Sequence, residues 1–581
     1  MTTHGRSDHY GAVDVGNGGA GTRSYPILRA PRFPGARPRG GATPALHAAG
    51  HGSLDARSVE IAAAIVAARV GGSFWTAAPA LPTDQPLTVI RPSSRRDAVT
   101  LTARWSGHDD DPLVAPGKRR APPPASKFLM LLPCRSWLAR DSDPWTVLDR
   151  ADRVVARVDD EFALLAAAAG KPVFDSVTSL PLDHAESLRR LARRIAHFAY
   201  TDPFHGHPLD VVEWIDRLGD WRRQIDANRR IGPIVGIAAW KRRAVGRILW
   251  TGRPAKFVRS IDPARVCAGS HLATWPSRTP PGLLDRAAAA HVPVARIEDG
   301  FIRSIGLGAH LHPPFSIVLD MTGIHYDPRW PSDLEQLLDA HPLGDRLRLR
   351  AAALIQPLIR NGITKYGAEP GSAIDLPRTP RRVLVIGQVE DDLSVRHGGA
   401  GIAGNLDLLR RVRAAEPDGF IVYKPHPDVA AGLRKGRIPD HDALRLADRI
   451  VTGGDLAPLL MQIDAVHVLT SLAGFEALLR GCEVSVHGQP FYAGWGLTTD
   501  LAPPLAYPRR RRRLTLEQLV AGALILYPRY LDPVTALPCP PEVLIARHGA
   551  MSRRRRSMLN WLRIAQGGLS LRRAALAGSP G

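Results

Sequence analysis

Carboxylates cluster at two places where a predicted strand ends, and these are the clearest candidates for chemistry in the chain. The segment Glu298 to Ser304 (EDGFIRS) follows the strand-like VPVARI, and Gln388 to Ser394 (QVEDDLS) follows VLVI. Ligands of α/β proteins bind at the carboxyl ends of strands, where a carboxylate can act as an acid or a base. A simple turn in which Arg303 pairs with Glu298 explains the first segment equally well.

The second segment places three acids, Glu390, Asp391 and Asp392, in a row. Such a row is costly unless cations or chemistry stabilise the charges, so one of the three is a candidate nucleophile. Two alternatives stay open. Glu390 and Asp391 can be read as metal ligands, or the whole segment as a solvated acidic loop.

Two further segments have side chains suited to a phosphate group. Lys424 and His426 (KPHPD) end the strand-like FIVY beside two stiffening prolines, and they suit a phosphate that leaves with its charge stabilised. A structural role is the alternative for His426. Ser471 lies between the strand-like VHVL and the helix-like LAGFEALLRG, where its hydroxyl and the first helical N–H groups can bind an anion or simply cap the helix.

Two successive α/β series must position these residues. Strand-like VCAGS, VPVARIE and FSIVLD alternate with helix-like LLDRAAAAH and LEQLLDAHP, and a second series opens after Pro377 with RRVLVIG and FIVYKPHP. This pattern predicts a first Rossmann-like half at 251–376 and a second at 377–550. Two such halves suggest the GT-B architecture, with the active site in the cleft between them.

The remaining chain is predicted to contain further parts, because 581 residues exceed what one hydrophobic core organises. Residues 1–53 are rich in Gly, Ala, Pro and Arg and are predicted to form a disordered tail. Residues 54–212 alternate strand-like and helix-like runs, which predicts another α/β layer. Residues 213–250 are predicted to be a helical linker and 551–581 a basic tail.

The chain carries a net charge of +22, which favours an anionic partner. Its arginine runs, Arg509 to Arg513 and Arg553 to Arg556, are read either as a solvated face or as attachment to an anionic membrane leaflet. Neither run is interleaved with aromatic residues, so nucleic acid is not expected as a partner. Four scattered cysteines predict no disulfide framework and no zinc site, and without a long apolar run any membrane contact is expected to be peripheral.

An internal repeat links the two regions of the chain. The spacing of Tyr200, Asp202, Pro203 and Pro208 recurs 330 residues later, at Tyr530, Asp532, Pro533 and Pro538. Upstream, ADRVVARVDDEFALLAAAAGKPV loosely parallels IDAVHVLTSLAGFEALLRGCEV. Common origin is the favoured interpretation, and two unrelated helices followed by a proline-stopped turn are the alternative.

The order and spacing of these segments, together with Glu476 and the loop PFYAGWGLT, resemble the carboxy-terminal module of the KpsC-type capsule β-Kdo transferases over about 300 residues. The resemblance implies a GT-B-like pair of Rossmann-like domains at about 240–550. It implies transfer of Kdo from CMP-Kdo with retention, and no metal or other cofactor.

The resemblance also implies roles for individual residues. Asp392 would be the nucleophile, and Glu298, or less readily Asp299, would handle the acceptor proton, with Arg303 in the same catalytic segment. The residues that would bind the CMP-sugar donor are Gln388, Lys424, His426, Ser471 and Glu476, the last through the ribose.

The implied acceptor is a lyso-phosphatidylglycerol glycolipid that already bears Kdo. The implied location is the cytoplasmic side of the inner membrane, on its anionic surface, with the capsule export machinery as a further partner. Full-length relatives carry two transferase modules, whereas this chain shows one set of motifs. Residues 54–212 are therefore expected to be an inactive remnant, and the chain to make one linkage; the alternative is a non-catalytic assembly protein of the export machinery.

Overall fold

The computed structural model describes most of the chain: residues 13–14, 23–45, 54–81, 87–92, 95–105, 128–132, 136–139, 142–302, 313–364, 374–502 and 507–554. The chain forms two compact units. The first comprises Met1–Arg230, Leu249–Ala255 and Thr535–Leu537, and the second Ile231–Ile248, Lys256–Val534 and Pro538–Gly581.

The first unit contains a five-stranded sheet, which we call the N-terminal sheet. Its strands in spatial order are Ser136–Ala139, Phe128–Leu132, Leu87–Ile90, Ala151–Ala156 and Val173–Asp175, and the last three run parallel. The helices of this unit are Leu54–Ala68, Arg95–Trp105, Pro144–Leu148, Glu161–Ala168, His184–Ala196 and Val211–Asn228. The α/β layer predicted for 54–212 is therefore present.

Residues 23–45 belong to this unit, so the prediction of a disordered tail over 1–53 is wrong there. Ile27 and Leu28 are fully buried, and the indole of Trp214 donates a hydrogen bond to the Leu28 carbonyl. Strand Ala42–Pro44 pairs with Phe198–Thr201. An extended segment shows no helical period, which is why composition alone misjudged it; the other residues of 1–53, apart from 13–14, lie outside the described residues.

The prediction of a helical linker at 213–250 is wrong for part of that range. Helix Val211–Asn228 starts with a capping box formed by Asp210 and Glu213, but Ile231–Val235 is a strand at the edge of a sheet in the second unit, and Ala239–Ile248 is a separate helix. Gly232 and Pro233 disfavour a helix at that point, and an edge strand tolerates the missing N–H of proline.

The second unit contains a mixed sheet and a parallel sheet. The mixed sheet has the spatial order Ile231–Val235, His271–Thr274, Val294–Asp299, Ser316–Asp320, Pro528–Leu531 and Pro538–Cys539, and its first three strands run parallel. The chain thus returns to this sheet near its end. The boundary predicted at 377–550 does not follow the sheets, because the antiparallel partner of Ser316–Asp320 comes from Pro528–Leu531.

The parallel sheet is ordered Arg449–Ile450, Phe420–Lys424, Arg382–Ile386, Ala465–Val468, Glu483–Val486 and Thr499–Asp500. In chain order this is 3-2-1-4-5-6, the doubly wound arrangement of Rossmann folds. The core beneath it is built from fully buried Val, Leu and Ile side chains of the central strands and of helix Asn405–Ala415.

The remaining helices of the second unit connect or cover these two sheets. They are Leu283–Ala289, Asp333–Ala340, Asp345–Arg360, Leu393–Gly398, Pro427–Ala430, Asp440–Ala443, Leu456–Leu460, Leu472–Leu478, Leu516–Val520 with the π-turn Ala521–Leu526, and Pro541–Arg554. The last helix continues past the boundary predicted at 550, and residues 555–581 lie outside the described residues.

Candidate functional site

The strand order of the parallel sheet reverses between Arg382–Ile386 and Ala465–Val468, and Gln388 lies at this point. Its amide Nε2 donates to Thr470 Oγ1 at 3.0 Å, and its Oε1 accepts from the Thr470 N–H at 2.8 Å. The Gln388 main chain is fixed by two further hydrogen bonds with the Asn405 side chain. Ligands of doubly wound sheets bind at such a reversal, so Gln388 lies where donor binding was predicted.

The three acids that follow Gln388 have different partners. Glu390 accepts from the Asn405 N–H at 2.9 Å, and Asp391 pairs with Arg434 at 3.0 Å on the surface, where this arginine lowers the pKa of Asp391. Asp392 caps helix Leu393–Gly398, with one oxygen accepting from the N–H and the hydroxyl of Ser394.

This separation gives no support to a metal site built from Glu390 and Asp391. Among the described residues, the grouping of three potential metal ligands is Asp202, His205 and His207, and all three lie in the first unit.

The EDG segment contains two carboxylates, Glu298 and Asp299. Both oxygens of Asp299 pair with the Lys241 ammonium, at 3.0 and 3.1 Å, and this ammonium lies 3.6 Å from the ring centre of Trp275. Asp299 is thus held in a structural ion pair, and successive residues of a strand point to opposite faces. The carboxylate of Asp299 is therefore engaged by a cation within the protein. Arg303 lies outside the described residues.

The loop between Ser316–Asp320 and Asp333–Ala340 adds a residue that sequence reasoning missed, Tyr326. Burial raises the pKa of its hydroxyl, and the charges of Glu298, Asp392 and Asp327 raise it further. A carboxylate of the mixed sheet and one flanking the parallel sheet therefore lie close to the same hydroxyl. The available signal was a polar run, HYDP, that follows a predicted strand as the other site segments do.

Aromatic residues connect three of the sequence segments directly. Phe301 of EDGF stacks on Phe491 of PFYAGWG, with ring centres 4.5 Å apart and planes at 22°. Phe475 packs against both rings. Next to it, buried Glu476 lines a largely apolar crevice together with Phe301, Phe475 and Leu524.

The KPHP segment contains one structural residue and one candidate ligand-binding residue. Lys424 is buried and donates to the carbonyls of Gly453 and Gly454, at 2.9 and 3.1 Å, so at least two of its N–H groups hold that loop. His426 caps Pro427–Ala430, and its Nδ1 accepts from the Asp428 N–H at 3.1 Å. In the neutral ring, the proton is thereby assigned to Nε2, which is a donor suited to a phosphate oxygen.

Ser471 caps helix Leu472–Leu478, as its position predicted, by accepting from the Ala473 N–H at 3.2 Å. Its main-chain carbonyl accepts from the Tyr492 hydroxyl, which ties the cap to the PFYAGWG loop. Both interpretations of Ser471, cap and anion ligand, are compatible with this arrangement.

Four arginines of the run at 509–513, Arg509 to Arg512, are bound by other residues of the second unit, although the side chain of Arg511 is 79% exposed. Arg509 and Arg510 both pair with Glu335, at 2.6 and 3.0 Å, and Arg511 pairs with Asp339 at 2.9 Å. Arg512 donates to three carbonyls near the end of helix Asp333–Ala340. The run joins the loop after the parallel sheet to that helix, and the second run, 553–556, extends outside the described residues.

No helix in the described part of the chain has the length and apolar content needed to cross a bilayer.

Comparison with known proteins gives the family. Residues 270–352 and 345–530 match the model of the capsule polysaccharide biosynthesis protein family. The capsule polysaccharide modification protein LipA of Neisseria meningitidis serogroup A is 38% identical over 426 residues, covering 68% of this chain and 60% of LipA. The lipopolysaccharide-processing protein LpsZ of Rhizobium meliloti is 42% identical over 250 residues, covering 42% of this chain and 56% of LpsZ. The chain thus spans less than two thirds of these relatives.

Two solved structures from Thermosulfurimonas dismutans are also similar. The KpsC β-Kdo 2,4 transferase is 31% identical, covers 54% of this chain and 97% of its own, and has a TM-score of 0.49. The KpsC β-Kdo 2,7 transferase is 36% identical, covers 55% and 99%, and has a TM-score of 0.45. On the family match and the sequence identities, this chain belongs to the capsule polysaccharide biosynthesis protein family.

Proposed function

We propose that this chain is a retaining glycosyltransferase that moves Kdo from CMP-Kdo to a Kdo-primed lipid acceptor during capsule polysaccharide synthesis. The observation that carries the proposal is that the charges of Glu298 and Asp392 both act on one buried hydroxyl, that of Tyr326, and raise its pKa. Retention by double displacement needs two carboxylates at one reacting centre, one as nucleophile and the other as acid and base.

In the first step, Asp392 attacks the anomeric carbon of the donor, and CMP leaves with the bonding electrons. The oxygen of Asp392 that takes no hydrogen bond from Ser394 is the natural nucleophile. His426 Nε2–H stabilises the charge that develops on the departing phosphate. Gln388 and Ser471 position the nucleotide at the strand reversal, and Glu476 binds its ribose. Lys424 contributes by fixing the loop at Gly453 and Gly454.

In the second step, Glu298 removes the proton from the acceptor hydroxyl, which attacks the glycosyl–Asp392 ester and releases the carboxylate. Two inversions at the anomeric carbon restore the β configuration of the donor. No metal or other cofactor takes part in this proposal, because protein groups stabilise the charge at each step.

The acceptor is proposed to be a lyso-phosphatidylglycerol glycolipid that bears Kdo. The surplus of 22 positive charges favours work at an anionic membrane surface on the cytoplasmic side, next to the capsule export machinery. Binding to vesicles with and without anionic lipid tests this part separately from catalysis.

The decisive experiment combines CMP-Kdo, a synthetic Kdo-terminated acceptor and the Asp392→Ala variant. We expect transfer to fall below detection, donor binding to be kept, and a Kdo adduct on Asp392 in the trapped wild-type enzyme by mass spectrometry. The matched control is Asp391→Ala, which changes the neighbouring acid that pairs outward with Arg434 and should retain transfer. An active Asp392→Ala enzyme would refute the assignment, and a wild-type protein without turnover would favour the non-catalytic assembly protein.

A further inference from the structure

The hydroxyl of Tyr326 is buried, and it has no hydrogen-bond partner among the described residues. Most buried hydroxyls in folded proteins are hydrogen-bonded, since an unpaired one loses its bonds to water without replacing them. An unpaired donor held at a proposed reacting centre therefore indicates a ligand atom that accepts from it.

The loop that carries Tyr326 is held against the helix capped by Asp392. Arg329 pairs with Asp327 at 2.8 Å and approaches His397 Nε2 at 3.4 Å. A methyl group added at Gly398 would lie 3.7 Å from the Tyr326 carbonyl oxygen. Both contacts come from helix Leu393–Gly398, so the main chain at Tyr326 is held on the side of the site that carries Asp392.

The charges around this hydroxyl limit what can accept from it. Glu298, Asp392 and Asp327 all act on it electrostatically, and burial together with these charges keeps the phenol protonated by raising its pKa. A sugar with its own carboxylate would meet repulsion from three acids at this place. A neutral donor directed at that carboxylate offsets part of the repulsion, because hydrogen bonds to charged acceptors are about twice as strong as neutral ones.

We propose that the Tyr326 hydroxyl binds the carboxylate attached to the anomeric carbon of the transferred sugar, and so selects 2-keto acid sugars. This inference rests on the proposed function. It assigns to Tyr326 a contact with the sugar and none with the nucleotide.

The test compares Tyr326→Phe with the matched control Tyr423→Phe. Both changes remove one buried hydroxyl that has no partner among the described residues, but Tyr423 lies in the strand Phe420–Lys424 and points at Gly387. Affinities for CMP and for CMP-Kdo are measured by calorimetry in an Asp392→Asn background, which stalls turnover. Transfer is measured in otherwise wild-type protein, and thermal midpoints verify folding.

We expect Tyr326→Phe to weaken CMP-Kdo binding by about 10- to 100-fold and leave CMP binding within about twofold. Tyr423→Phe should change neither. Free Kdo should inhibit wild-type transfer better than its methyl ester, which lacks the charge, and Tyr326→Phe should remove that difference.

Three results would overturn the inference. The first is a Tyr326→Phe enzyme equal to wild type. The second is equal loss of CMP and CMP-Kdo affinity, which indicates a structural role or a nucleotide contact. The third is a Kdo-over-ester preference that survives the substitution. If the wild-type protein neither binds CMP-Kdo nor transfers Kdo, the proposed function itself fails, whereas an active wild type with an unaffected variant removes only the role of Tyr326.

Discussion

The N-terminal sheet and the parallel sheet each contain a strand-to-helix junction, and the two junctions differ in the charge of the residue that caps the helix. In the N-terminal sheet, strand Ala151–Ala156 leads to helix Glu161–Ala168, which is capped by Asp160. In the parallel sheet, Ala465–Val468 leads to Leu472–Leu478, capped by Ser471. The first cap is acidic and the second is neutral.

The acids of the first junction are already neutralised by the protein. Asp160 pairs with Arg91 at 2.8 Å, and Glu161 pairs with Arg29 at 2.7 Å. Five residues after each cap, buried Leu165 stands where the second junction has Glu476. Arg91 and Arg29 are thus engaged by the protein's own carboxylates, so this junction is less suited to a nucleotide phosphate than the second, in line with the expectation that the N-terminal layer is inactive.

The largest expected effect comes from giving the junction of the parallel sheet the acidic cap of the N-terminal sheet. Ser471→Asp places a carboxylate where the donor phosphate is proposed to bind, and like charges at close range cost several kcal/mol. Transfer from CMP-Kdo should fall about a thousandfold. The reciprocal variant, Asp160→Ser, should bind CMP-Kdo as the wild type does. Unchanged transfer kinetics of Ser471→Asp would show that the charge of the capping residue does not decide which junction accepts the donor phosphate.

The second-largest expected effect concerns the ion pair between Arg91 and Asp160, the residue that caps helix Glu161–Ala168. The Arg91 and Asp160 side chains are only 8% and 12% exposed, so Arg91→Met leaves a poorly solvated carboxylate and should cost about 3 kcal/mol of stability in the first unit. The control Arg153→Met breaks an exposed pair with Asp152 and should cost less than about 1 kcal/mol. Hydrogen exchange of strands 151–156 and 465–468 measures both. Equal loss in the two strands would contradict a local role.

Acid should affect the parallel sheet before the N-terminal sheet. Buried His487 lies 3.1 Å from His467, and burial lowers the pKa of His487 to about 4, with the charges of His467 and Arg411 acting in the same direction and Asp407 against them. The unfolded state then binds more protons between about pH 6.5 and 4, so stability falls as the pH drops through that window. The full shift corresponds to a loss of about 3 kcal/mol.

Hydrogen exchange as a function of pH measures this loss. Strand 465–468, which contains His467, should lose protection in this window, while strand 151–156, which has no histidine, should not. The substitution His487→Phe should flatten the dependence. A decline of the same size in both strands would place the acid-sensitive groups elsewhere.

Sequence patterns predicted the positions of the candidate residues where the place of a residue along one strand decides the outcome. Gln388, His426 and Ser471 follow strands of the parallel sheet, and the carboxyl ends of parallel strands lie at one edge whatever the rest of the fold does. The doubly wound series after Pro377 was predictable for the same reason. These features depend on local periodicity and on the chain order of the elements.

Features decided by distant partners were not predictable. The arginines at 509–512 are bound by residues of a helix about 170 residues earlier and its C-terminal end, and the ammonium of Lys424 donates to the carbonyls of Gly453 and Gly454. Nothing in the sequence indicates that Lys241 pairs with Asp299. Tyr326 became visible only once the fold brought the charges of Glu298 and Asp392 to the same hydroxyl.

The smallest expected effect concerns two β-hairpins of similar form. Phe198–Thr201 pairs with Pro208–Leu209 in the first, and Pro528–Leu531 pairs with Pro538–Cys539 in the second. Both pair in the same register, with Tyr200 opposite Leu209 and Tyr530 opposite Cys539, and each tyrosine hydroxyl donates to a carbonyl of the preceding helical segment. Tyr200→Phe and Tyr530→Phe should each cost about 1 kcal/mol, measured by local hydrogen exchange, and leave transfer unchanged. Because the bond is common to both copies, equal costs would indicate that the repeat kept its scaffold while its strand-to-helix junctions diverged in charge. A cost in only one copy would mean that the shared spacing no longer reflects a shared structural role.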